Sequence, residues 1–297
     1  MARSPSVALV TASSCRNLDE DLAPLEAALL GRGVDVAVVD WDDPAASWSG
    51  YGLVVVRSTW DYVDRLEEFL SWVDHVDSVT RIANPAAVLR WNTDKRYLLD
   101  LAAAGVPTIP TTVVDPGGEV RCPSTNEVVV KPVVSAGARD TERYASGQRS
   151  EAEAHAHRLL DAGRSVLIQP YFEGVDEAGE TAVMFVAGEL SHGFRKGPIL
   201  RPGTGFVGGL YREEDIGPRR PSGPEMEVAR GALAAVPAAG PRDLLYARAD
   251  LVPGPGGEPV VLELELTEPS LFHAHAPGSL DRFAAAIERF AAAGHSS

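Results

Sequence analysis

Two stretches near the C-terminal end constrain the fold more than any others: LLYARADLV (244–252) and PVVLELEL (259–266), joined by PGPGGEP (253–259). Both alternate, and a strand returns to the same face every second residue, about 6.6 Å on. The proline- and glycine-rich joint predicts a hairpin with a long turn. Leu262, Leu264 and Leu266 then face one way, and Glu263 and Glu265 the other. Taken alone, LELEL reads as a solvated strand face, the ordinary condition of a half-buried antiparallel strand. The partner strand changes the question, because its alternation puts Tyr246, Arg248 and Asp250 on one face. Three carboxylates and one arginine then share a sheet surface, where unpaired acids repel across the strands. Magnesium relieves such repulsion, since it takes a few carboxylates, keeps some waters and bridges to phosphates.

Composition narrows what such a surface serves. With 297 residues the chain exceeds the usual size of a single core, so two or three subdomains around a shared cleft are expected. The net charge of −15 argues against nucleic-acid and anionic-membrane partners, which need a basic patch. A polyanion such as ATP would have to be held by a few deliberately placed cations and metal ions. No window approaches the ~20 apolar residues of a membrane span. The opening MARSPSVALVTASS has only a short apolar run, without the pattern of a signal peptide. Cys15 and Cys122 make no disulfide or zinc framework. The expectation is a cytoplasmic enzyme or binding protein.

Along the chain, β-branched runs at 6–10 and 34–39 flank a helical pattern, Leu18, Leu22, Leu25 and Leu29, closed by Gly31 and Gly33. A third run, Leu53 to Val56, ends in RSTWDY. Parallel sheets bind ligands at the carboxyl ends of their strands, which puts Arg57, Trp60 and Asp61 where a substrate could lie; a polar loop with Trp60 packed on the core is the alternative. Asn92 or Thr93 caps a helix running to about Ala104, with Gly105 as its stop. Short strands, a DPGG turn (115–118) and a helix at about 150–162 make 108–170 a compact α+β insertion. Strands dominate from 180 onward, apart from a proline- and glycine-rich loop at 217–224. A final amphipathic helix carries Leu280, Phe283, Ile287 and Phe290.

Lys131 interrupts the valines of EVVVKPVV, and a charge in a buried strand has to meet an anion, unless it snorkels from the strand end. Ser135, Ala136 and Gly137 follow as a small-residue turn that lets backbone N–H groups approach phosphates. Lys95 lies upstream on the first turn of its helix, a place usual for a solvated lysine. No P-loop pattern is present. Gly203, Gly205 and Gly208 match G-x-G-x-x-G, but no strand precedes them and no helix opens behind, so a glycine-rich loop is the better reading. His155 and His157 are two apart on a helix and share no face. His273 and His275 read as loop residues or substrate contacts. No nucleophile elbow or activated cysteine supports covalent hydrolase chemistry.

The ordered set DK (94–95), VVVKP (128–132), LIQPY (167–171), GE (179–180), RAD (248–250) and ELE (263–265) resembles the ATP-grasp superfamily, which includes D-alanine–D-alanine ligase and glutathione synthetase. The resemblance implies an α/β fold with an α+β lid: an N-terminal parallel α/β substrate domain (1–86), a connecting helix (87–107), a lid (108–170) and a C-terminal subdomain with the metal site (171–297). It implies that Lys95 and Lys131 hold the ATP phosphates, that Gln169, Pro170 and Tyr171 run along adenine, and that Glu180 contacts ribose. Asp250, Glu263 and Glu265 would coordinate two Mg²⁺ ions, with Mn²⁺ as a substitute, and Arg248 would face the acyl phosphate, joined in catalysis by Lys131. Arg57, Trp60, Asp61, Arg201 and Ser270 would meet a small amino-acid-like substrate. The family more often has asparagine at the position of Glu265, and ELELTEP carries one extra residue before its proline, which leaves Glu268 without an assigned role. WDDPAASW, VVVRSTWDY, NPAAVLRWNTDKRYLL and ELELTEPSLF are similar to the subgroup that contains O-ureido-serine cyclo-ligase of D-cycloserine biosynthesis. The implied activity is an ATP- and Mg²⁺-dependent ligase in which a nitrogen attacks an activated carboxylate, within one molecule or between two. A non-catalytic nucleotide-binding protein is the reading from another class. Exposed sheet edges and the family's precedent admit a homodimer.

Overall fold

Leu53–Val56 and Val7–Val10 are apolar at every position, and such runs form strands covered on both faces. In the computed structural model, which describes residues 6–123, 127–200 and 215–293, they lie in a parallel sheet of β1 (Ser6–Thr11), β2 (Asp35–Asp40), β3 (Leu53–Ser58) and β4 (Ile82–Ala83), in the order β2–β1–β3–β4. Helix α1 (Leu22–Gly31) buries Leu22, Leu25 and Leu29; Leu18 of the expected stripe precedes it. Helix α2 (Leu66–Val79), which the sequence reading passes over, buries Phe69, Trp72, Val73 and Val76, a helical spacing that was there to be read. Arg57 and Ser58 belong to β3 itself and are buried.

The helix expected from Asn92 to Ala104 is two helices, α3 (Ala86–Asn92) and α4 (Tyr97–Ala103). Asn92 closes α3 and caps nothing. Its side chain is turned inward instead, where Nδ2 donates to Leu264 O and Oδ1 accepts from Leu266 N–H, each at 2.7 Å. A short polar side chain satisfies strand groups here as readily as helix ends, and only the approach of the strand decides which.

A four-stranded antiparallel sheet follows, β5 (Thr112–Val114), β6 (Val128–Pro132), β7 (Glu142–Tyr144) and β8 (Val166–Pro170), ordered β5–β8–β6–β7 and packed on α5 (Arg149–Asp161). After α6 (Gly174–Ala178) comes the largest sheet, of β9 (Glu180–Val186), β10 (Glu189–Lys196), β11 (Ile216–Pro218), β12 (Tyr246–Pro253) and β13 (Pro259–Glu265), ordered β11–β10–β9–β12–β13. The 217–224 segment is only partly loop. Ser222 and Glu225 form a reciprocal capping box that starts α7 (Gly223–Ala234). Helix α8 (Ser279–Ala293) carries the expected apolar stripe, with Phe283 and Ile287 fully buried.

Alternation divides the large sheet between two cores. Ala182, Met184 and Tyr246 pack with α1, α8 and the parallel sheet. Val183, Phe185, Ala247, Ala249 and Leu251 pack with α4 and α7. Asn84 ties the parallel sheet to the large one: Nδ2 donates to Tyr246 O (2.9 Å) and Leu266 O (2.7 Å), and Oδ1 accepts from Leu245 N–H (2.7 Å). Among the described residues no helix is long and apolar enough to cross a membrane.

Asn92→Ala removes a donor and an acceptor from buried backbone groups of β13 and its continuation. A loss of about 2–4 kcal/mol is expected, read as a lower urea midpoint at unchanged slope.

Candidate active site

The hairpin forms as its turn chemistry predicts, and its register places Arg248 opposite Glu265 and Asp250 opposite Glu263. Between Asp250 and Leu251 the pairing shifts by one residue, so that Leu262 has no partner on β12. The expected leucine face is therefore broken. Leu264 and Leu266 enter the core under α7, while Leu262 packs near Tyr171, Phe172 and Val252 and lines the main cavity. A bulge is invisible in an alternating sequence, yet it re-aims one side chain into the site.

One oxygen from each of Asp250, Glu263 and Glu265 lies within 4.8 Å of the others. Cations surround them. Arg248 grips Asp250 with two bonds of 2.9 Å and also pairs with Glu265. Lys95 lies 3.0 Å and Lys131 3.8 Å from Glu263. Lys95 reaches the cluster from the link between α3 and α4, where it also donates to Ser135 O at 2.8 Å, and Lys131 does so from β6. The charge inside the valine run thus meets an anion, not solvent. Lys196, which the sequence reading passes over, joins Asp250 (2.9 Å) to Glu180 (3.1 Å) across β9 and β10. Unlike Lys131 it ends a strand of mixed polarity, ELSHGFRK, so no local signal set it apart.

Crowding sets the protonation of the group. Burial opposes ionisation of Glu263, but Lys95, Lys131 and Lys196 overcome it and hold the carboxyl well below its usual range. Burial pushes the Glu265 carboxyl up to about 8 against the pull of Arg248, and the charges of Asp250 and Glu263 add to the rise. Burial lowers Lys131 and is only partly opposed by Glu263, whereas at Lys95 the Glu263 charge prevails over burial and raises it.

Gln169, Pro170 and Tyr171 border the same cavity as Glu180. Gln169 Nε2 donates to Thr111 Oγ1 at 2.8 Å, the Tyr171 N–H donates to Glu127 O at 2.8 Å, and Arg143 stacks 3.5 Å from the Tyr171 ring centre. On the other side stand Trp60, Tyr62, Glu268 and Ser270. Trp60 Nε1 donates to Glu268 O (3.0 Å) and Arg248 Nη1 to Ser270 O (2.9 Å). Two residues proposed for substrate contact stand outside the lining. Arg57 is buried behind it, donating to Pro269 O at 3.3 Å, and Asp61 accepts from Trp41 Nε1 at 2.9 Å beside Arg65. Arg201 and the glycines at 203, 205 and 208 lie outside the described residues. His273 and His275 line a second cavity, between the loop after β1 and the start of α8, which meets the first at Ser270. Tyr62 and Glu268 are the pair that sequence reasoning missed; nothing in the spacing joins residues two hundred positions apart.

A cleft between two antiparallel sheets, in which Lys131 of one faces the acids of the other, accords with the ATP-grasp ligases. The fold agrees: D-alanine–D-alanine ligase from Bacillus anthracis complexed with ATP shares it at a TM-score of 0.72 and 12% identity, over 99% of this chain and 98% of that one. The protein is an ATP-grasp ligase, and within that class the chain belongs to the D-cycloserine synthetase family. Residues 7–84 match the family described as D-cycloserine synthetase DcsG, N-terminal domain. The cycloserine biosynthesis protein DcsG of Streptomyces lavendulae is 41% identical over 294 residues, spanning 95% of this chain and 97% of that protein. The crystal structure of D-cycloserine synthetase DcsG matches at a TM-score of 0.87 and 38% identity, over 96% of this chain and 99% of that one.

A carboxyl raised in the folded protein costs stability as pH climbs from its unfolded value toward its folded one. Glu265→Gln is therefore expected to gain stability relative to the parent, in metal-free buffer, between about pH 5 and pH 8, the window set by the raised carboxyl near 8. Thermal unfolding across that range checks it.

Proposed function

We propose that this ligase converts the carboxylate of a small amino-acid-like substrate to an acyl phosphate with ATP, and that a nitrogen of the same molecule displaces phosphate and closes a ring. Similarity along nearly the whole chain to a cycloserine biosynthesis protein supports the cyclisation, with O-ureidoserine as substrate. The ring first formed keeps the carbamoyl group on its nitrogen. Water then cleaves that N–carbonyl bond, releasing carbamic acid (carbon dioxide and ammonia) and leaving cycloserine. The observation that carries the activation step is the set of Lys95 and Lys131 on Glu263, registered against Asp250 and Arg248.

The acid cluster fits magnesium: Asp250, Glu263 and Glu265 offer hard carboxylate oxygens, close together, of the kind this ion takes. These residues would hold two Mg²⁺, or Mn²⁺ in substitution, and the ions would neutralise charge on the triphosphate. Without ligand, lysines and acids neutralise one another. With the acids engaged elsewhere, Lys95 and Lys131 are released to the phosphates. Gln169, Pro170 and Tyr171 border the adenine, Glu180 holds the ribose, and Arg248 faces the acyl phosphate beside Ser270. The 108–170 unit closes over the nucleotide as a lid and excludes the water that would hydrolyse the intermediate. Trp60 contacts the substrate directly. Arg57 and Asp61 act from behind the wall, through Pro269 and Trp41.

Glu263→Gln and Lys131→Ala are each expected to cut ADP release by at least about 100-fold, the scale of losing one preorganised charge at a reacting centre. Equal turnover in parent and variants would defeat the enzyme assignment. Mass detection of a product from one substrate, with no added amine, separates cyclisation from intermolecular ligation.

A further inference from the structure

Among the glutamates that line the main cavity, Glu180 pairs with Lys196, Glu263 with Lys95 and Glu265 with Arg248. Glu268 stands apart from the cluster of Asp250, Glu263 and Glu265 and is bound instead by a neutral group, accepting a hydrogen bond from Tyr62 Oη at 2.8 Å. Its main chain is held separately, by Trp60 Nε1 on Glu268 O (3.0 Å) and Arg57 on Pro269 O (3.3 Å). The carboxyl is thus fixed at the wall built by the N-terminal sheet, half-buried and facing the cleft.

A nitrogen that attacks an acyl phosphate has to lose a proton as the C–N bond forms. Lys95 and Lys131, held as ammonium groups against Glu263, and the guanidinium of Arg248 have no lone pair to receive it. Glu180, Glu263 and Asp250 are held by lysines, and Glu265, although its carboxyl is raised, is tied to Arg248 within the acid cluster that would take metal ions. Among the described residues the Glu268 carboxylate is hydrogen-bonded by a phenol alone, and burial, against the Tyr62 bond, pushes it up to about 7, near the pH at which a general base works best. The charged groups around it are Lys95 from the α3–α4 link, Glu263 from β13 and Arg248 from β12.

We propose that Glu268 is the general base that deprotonates the attacking nitrogen, with Tyr62 as its positioning residue. The role rests on the ligase reading above. The nitrogen lone pair forms the bond to the acyl carbon, and the N–H proton moves to the Glu268 carboxylate. The bond from that carbon to the phosphate oxygen breaks, its electron pair leaving on phosphate. Glu268 then passes the proton to the phosphate, which departs as hydrogen phosphate.

The test uses O-ureidoserine with ATP and Mg²⁺ between pH 6 and 8.5. It compares the full chain with Glu268→Gln and Tyr62→Phe. Hydroxylamine traps the acyl phosphate as hydroxamate, and mass detection follows the ring product. Glu268→Gln is expected to keep hydroxamate formation within a few-fold while ring closure falls about 100-fold. The parent's ring closure should rise with pH about a midpoint near 7. That dependence should vanish in Glu268→Gln and move to higher pH in Tyr62→Phe. Ring closure at the parental rate in Glu268→Gln overturns the proposal. So does an equal fall in hydroxamate and product, which would mark a role in binding or metal retention. No hydroxamate from the parent itself overturns the acyl-phosphate reading, a failure distinct from either.

Discussion

The site depends on mutual neutralisation between buried acids and buried cations supplied by different parts of the chain. Asp250 is fully buried, and such a charge is costly unless paired. Arg248 pairs it from two residues away on the same strand, and Lys196 from β10, two strands away in the same sheet. Glu263 is paired from outside the sheet altogether, by Lys95 and Lys131. Removing any one partner leaves an uncompensated charge, so the α3–α4 link, the β5–β8–β6–β7 sheet and the large sheet are bound into one arrangement by electrostatics as much as by packing. The same pairing suits an acidic chain to the proposed polyanion: its three lysines all stand at this one place, held there by the acids proposed to take metal ions.

Position follows from register. A slip of one residue between β12 and β13 would turn Glu263 and Glu265 into the core and Leu264 and Leu266 into the cleft. Apolar burial forbids that slip, since Leu264 and Leu266 fill the core under α7, and the amide of Asn92 bonds to Leu264 O and Leu266 N–H. The bulge at Leu262 is accommodated within the same frame and lends the cavity an apolar wall near Tyr171 and Phe172.

The N-terminal sheet contributes differently. Its strands carry none of the paired charges, but the segment after β3 brings Trp60 and Tyr62 against Glu268, and Arg57 beneath Pro269. The turn that follows the acidic strand is therefore shaped by the unit in which substrate specificity is proposed to reside. The proposed nucleotide and substrate sites meet on one short segment, 266–272, whose backbone is also held by Asn84 at Leu266 and by Asp21 at Leu271.

The sequence by itself determined the strands, the hairpin and the identity of the charged cluster. Alternation in ARAD and LELEL, a lysine stranded among valines and the proline–glycine turn are local signals, and local sterics and solvation act on them directly. They were enough to place the acids and Arg248 together and to call for an anion at Lys131; Lys95 was marked only by the resemblance of the ordered motifs. Only the tertiary structure decided which neighbour each polar group would choose. Asn92 has the chemistry of a helix cap and serves a strand. Arg57 has the position of a substrate contact and lies buried behind the wall. Glu268 and Tyr62, distant in sequence, become a hydrogen-bonded pair at the cleft. Partner choice depends on which surfaces the folded chain brings within about 3 Å, and no periodicity records that distance.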